Sequence, residues 1–82
     1  MKIFQVEKTL VSTNRIKEMG HRPLLVVKEQ SGARSVAVDA IGCVAGDWVI
    51  AVSGSAGRSA AGSKEFPSDL TIVGIIDHWS ED

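Results

Sequence analysis

Between residues 36 and 77 the chain carries short β-type runs, VAVDAI, DWVIAV and LTIVGIID, that are apolar on both faces. A strand sends alternate side chains to opposite faces, so a half-solvated strand alternates apolar with polar residues. In the last run Leu70, Ile72, Gly74 and Ile76 share one parity, while Thr71, Val73, Ile75 and Asp77 share the other. Both sets are largely apolar. One lines a small core, with Leu70, Ile72 and Ile76 as its expected members. The other needs a cover that a mostly β chain of 82 residues does not obviously carry. Other copies of the chain are expected to supply it.

Length sharpens that expectation. A single domain over residues 1–82 buries roughly 60 % of its unfolded surface, and cores of this size supply about 3–5 kcal/mol. Cys43 is the single cysteine, so no disulfide can staple the fold. It reads as a buried, reduced residue of a cytosolic protein. His21, Cys43 and His78 lie far apart and lack ligand spacing, so no metal site is expected. Oligomerisation is left as the stabiliser. MKIFQVEKTL meets Glu7 and Lys8 before any apolar region develops, which argues against a signal peptide. No apolar run approaches the roughly 18 residues of a membrane span. A soluble chain without membrane contact is expected.

The net charge of −1 disfavours a general nucleic-acid binder, yet charge is unevenly spread. Residues 1–34 carry seven basic against three acidic side chains, and residues 35–82 carry two against seven. Either this is ordinary solvated surface, or the halves form complementary surfaces. In the second case a head-to-tail contact between copies could close into a ring.

The pattern predicts five strands. Residues 2–11 form the first, and the continuous apolar run Leu24 to Lys28 reads as a buried second. Ser35 to Ile41 pairs with it as a hairpin across Gln30-Ser31-Gly32-Ala33. Asp47 to Val52 and Leu70 to Trp79 complete the set, with Pro67 suited to the position before the last strand. RIKEMGHRP holds one helical turn at most. Within SGSAGRSAAGS, Arg58 to Ala61 is expected as a short helix between Gly57 and Gly62. The fold class is all-β, a small five-stranded barrel of OB type with one short helix.

Several chemistries can be weighed on this fold. Gly57 to Lys64 nearly spells a phosphate-binding loop, but Ser63 displaces Lys64 by one residue and Pro67 forbids the long helix such a loop requires. Asp39, Asp47, Asp69 and Asp77 flank strands, yet nothing fixes a pair at catalytic distance. Asp39 sits in an apolar run, so bonds to backbone amides or to an arginine are expected. No catalytic residue and no cofactor are assigned. Phe4, Trp48, Phe66 and Trp79 form no aromatic platform for single strands. A stand-alone OB-type module binding nucleic acid or a small ligand remains the competing reading.

Four stretches taken together, MKIFQVEKTLVSTNRI, GHRPLLVV, VAVDAIGCVAGDWVIAV and PSDLTIVGIID, cover nearly the whole chain. In order and spacing the sequence resembles the pentameric vertex proteins of bacterial microcompartment shells, the EutN/CcmL family, most closely its α-carboxysome branch. The resemblance implies an OB-like barrel assembled as a cyclic homopentamer. It implies a non-enzymatic tile at the five-fold vertices of an icosahedral carboxysome shell in the bacterial cytoplasm, with hexameric shell proteins at its rim. Its role would be to close the shell around Rubisco and carbonic anhydrase. The family's Gly-Ser-Ser-Ala-Arg-like segment near the five-fold axis falls on Ser53 to Arg58, with Gly57 departing from the common pattern. On that basis Ser53, Gly54 and Ser55 are expected at a narrow central opening, and Ala56 and Arg58 at the subunit interface. Arg58 would pair with an acid of its own or the next subunit, Asp39 or Asp69.

Overall fold

Strands with apolar side chains on both faces need one face enclosed, and a sheet that closes on itself encloses it. This one does. The computed structural model describes residues 1–10, 17, 22–62 and 70–77. They form β1 (Lys2–Leu10), β2 (Leu24–Lys28), β3 (Arg34–Asp39), β4 (Trp48–Ser53), α1 (Gly54–Ala60) and β5 (Leu70–Ile75). The strands make a closed barrel in the order β1-β2-β3-β5-β4, with β4 paired back onto β1. All pairs are antiparallel except β3 with β5. This is the five-stranded OB-type arrangement. The end of the fifth strand expected beyond Asp77, and most of the turn expected in RIKEMGHRP, lie outside the described residues.

One parity fills the barrel. Phe4, Val6, Leu25, Val27, Ala37, Cys43, Val49, Ala51 and Ile72 form the interior cluster, with Leu70 packed against it. Leu70 and Ile72 thus take the places expected of them. Ile76 does not. Ala51 pairs with Ile72 but Ile50 with Gly74, leaving Val73 unmatched as a bulge in β5. A bulge inserts one residue and so turns every later side chain of the strand to the opposite face. Ile76 therefore emerges beside Ile3 and Ile50 in an external groove, bordered by Lys2 and Glu29. Those two side chains form an ion pair at 3.0 Å.

The outer parity receives part of its cover from the chain itself. Leu24, Val38 and Ala61, with Leu10 beside them, make a second buried cluster outside the barrel wall where α1 ends. The helix begins at Gly54, not near Arg58 as expected. Its first residues have poor helix propensity, and docking explains why they are nonetheless helical. Gly57 is buried, and its carbonyl accepts a hydrogen bond from the fully buried Thr71 hydroxyl as well as from the Ala61 N–H. Replacing Thr71 by valine keeps the shape and removes the donor. It is expected to lower unfolding free energy by about 1 kcal/mol, read from urea denaturation at fixed protein concentration.

Apart from Met1, the large apolar side chains left exposed among the described residues are Val36 on β3, Val73 and Ile75 on β5, and Ile41 and Val44 in the loop between β3 and β4.

Candidate functional site

Two features stand out beyond the barrel itself. The first is the corner where β4 runs into α1. Ser53 caps the helix start with extended backbone, without a side-chain capping bond. Gly54 comes next at φ +63°, a left-handed conformation that favours glycine. Ser53, Ser55 and Ala56 are exposed and Gly54 is half-buried, so a continuous run of small residues faces outward. A Cβ placed on Gly54 would meet no atom of the chain within 4 Å. Small side chains at this corner are therefore not demanded by packing within one subunit.

Arg58 lies half-buried in the last turn of α1, where a cation suits the helix dipole. Among the described residues the ion pairs are Lys2 with Glu29 and Arg34 with Glu7, and Arg58 does not meet Asp39. Asp69 lies outside the described residues.

The second feature is the loop that Asp39 holds. Its buried carboxylate accepts three backbone N–H groups: Oδ1 from Ile41 at 3.0 Å and Gly42 at 2.8 Å, Oδ2 from Cys43 at 2.7 Å. Of the two partners expected for Asp39, backbone amides or an arginine, the protein uses the amides. Burial opposes ionisation, but the three N–H donors outweigh it and hold the carboxyl below its ordinary range. Burial also pushes the Cys43 thiol up to about 12, helped by the Asp39 charge. The thiol is then protonated at neutral pH and a poor nucleophile.

Asp47 continues the same loop by accepting the Val44 N–H at 2.9 Å. Backbone bonds between Val6 and Asp47 and between Gly46 and Val6 tie the loop to β1. The result is a rigid platform that presents Ile41 and Val44 to solvent. Sequence reasoning misses these two side chains. The available signal is an apolar residue on either side of Gly42-Cys43 in a loop otherwise pinned by acids.

Among the described residues no helix is long and apolar enough to cross a membrane. A closed barrel with a filled interior, an outward corner of small residues and uncovered apolar edges defines a class: a β-barrel subunit that acts by packing against other subunits. The chain belongs to the EutN/CcmL family, whose profile, described as ethanolamine utilisation protein EutN/carboxysome, matches residues 1–77. It is 73 % identical over 81 residues to the carboxysome shell vertex protein CsoS4A of Halothiobacillus neapolitanus, covering 98 % of each chain. Its fold superposes on the structure of CsoS4B from the same organism with a TM-score of 0.88 at 42 % identity, covering 95 % of this chain and 100 % of that one. The pentameric shell protein MSM0273 from the RMM microcompartment matches with a TM-score of 0.87 at 31 % identity, covering 100 % and 96 %.

Proposed function

We propose that five copies of this chain form a ring that caps a five-fold vertex of the carboxysome shell. Its function is that of a carboxysome shell vertex protein, structural and not catalytic. Hexagonal tiles alone make a flat sheet, and pentagonal tiles add the curvature that closes it around Rubisco and carbonic anhydrase. The observation that carries this reading is the match to a vertex protein along 98 % of the chain, on a barrel shared with pentameric shell proteins.

Within the ring, Ser53, Gly54 and Ser55 line the central opening. Ala56 and Arg58 face the neighbouring subunit, and Asp69 is the acid offered to Arg58. Asp39 contributes to the interface indirectly, by fixing the loop that displays Ile41 and Val44. What supports this placement is the outward run of small residues at Gly54, which packing inside one subunit does not require. Hexameric shell proteins are the partners at the rim.

The test is co-assembly. Hexameric shell proteins mixed with this chain are expected to yield closed polyhedral particles in electron micrographs, and open or elongated ones without it. Identical particles in both preparations would contradict the vertex role.

A further inference from the structure

Two apolar patches of opposite electrostatic character flank α1. The register places Lys8 opposite Val26 and Val26 opposite Val36, so the three share the outer face of β1, β2 and β3. Cross-strand partners lie side by side on one face. One outward step along β2 brings Lys28. Arg34, its partner on β3, is neutralised by Glu7 at 2.9 Å. Neither Lys8 nor Lys28 has an ion-pair partner among the described residues. The first patch is thus Val26 and half-exposed Val36 within a basic rim.

The second patch forms where β3 and β5 end. These strands run parallel, with Asp39 beside Ile72, so the chain leaves both of them at the same end of the barrel. Ile41, Val73 and Ile75 are each at least 40 % exposed there, and the exposed Asp77 lies two residues beyond Ile75. Along β3 the two patches are separated by Val38, which the end of α1 covers.

We infer that these patches are the two halves of one heterologous contact, the basic patch of each copy seating the acidic patch of the next. The inference rests on the ring proposed above and assigns its joints. In a cyclic assembly each subunit is a wedge, and the element nearest the axis lies between its two contact surfaces. The small-residue start of α1 occupies that position. Unlike patches joined head to tail generate a ring when the rotation closes. Apolar centres with charged rims of opposite sign supply both adhesion and direction.

Complementation tests this directly. Val36→Asp spoils the first patch and Ile41→Asp the second, both at exposed positions. Each variant alone is expected to lose the five-fold mass and run as a monomer. Mixed, they retain one intact patch each and are expected to form a dimer that grows no further. Either variant remaining pentameric, or two monomeric variants that fail to dimerise on mixing, would overturn the assignment. Should a variant lose the barrel's circular-dichroism spectrum, Lys28→Glu with Asp77→Lys replaces it. Each charge reversal weakens the ring and the pair restores it; a pair no better than its singles overturns the assignment. A monomeric wild-type chain would instead defeat the ring itself.

Discussion

Asp39→Leu is expected to lower the unfolding free energy by about 3–4 kcal/mol, because it leaves three N–H groups without an acceptor, one of them buried. A chain of this length has only about 4–12 kcal/mol to lose, so the variant should sit near its folding threshold. Asp39→Asn keeps an oxygen for Ile41 and Gly42 but turns an amide donor toward Cys43, and should cost roughly half as much. The pH dependence comes from the lowered carboxyl pKa. The stabilisation is fully present above the ordinary value of 3.8 and is lost as pH falls through the lower folded value. Urea midpoints measured between pH 7 and pH 3 at constant protein concentration check both statements. A leucine variant as stable as wild type, or one with the same acid sensitivity, would show that the loop does not depend on this carboxylate.

Gly54→Trp is expected to abolish assembly while sparing the barrel. At φ +63° any side chain carries a backbone strain of about 1–2 kcal/mol, which the fold should survive. The indole meets nothing of its own chain nearby, since even a Cβ has open space around it. Only five copies brought together at an axis would collide. Gly54→Ala separates the two effects, because it carries the same strain without the bulk and should still assemble. Size-exclusion chromatography with circular dichroism distinguishes the outcomes. A tryptophan variant that elutes as a folded pentamer would remove this corner from the axis.

The strands are legible in the sequence because their apolar runs are bounded by glycine, proline and polar turns. β2 falls at Leu24–Lys28 as the sequence alone indicates, and β1 ends one residue short of its expected length. The position of Ile76 is not legible, because the bulge at Val73 depends on pairing with β4, which no local pattern announces. The early start of α1 has the same kind of cause: the Thr71 hydroxyl and the burial of Gly57 stabilise a helix that propensity disfavours. Asp39 is readable as a buried, bonded carboxylate but not in its choice of partner, since that choice is made by the turn through Gly42 at φ +93°. The expectation that other copies must cover the second parity holds only in part. α1 covers Leu24 and Val38, while Val36, Ile41, Val44, Val73 and Ile75 remain uncovered. Opposite charges divided between the two halves of the chain hint at complementary surfaces. The register adds that Lys8 and Lys28 border the same apolar pair.

Native mass spectrometry of the wild-type protein tests the central claim most directly. A vertex ring requires a dominant species at five times the 8.7 kDa chain mass, persisting on dilution and without shell partners. A stable, folded monomer under the same conditions would contradict it and return the chain to the status of a free-standing barrel.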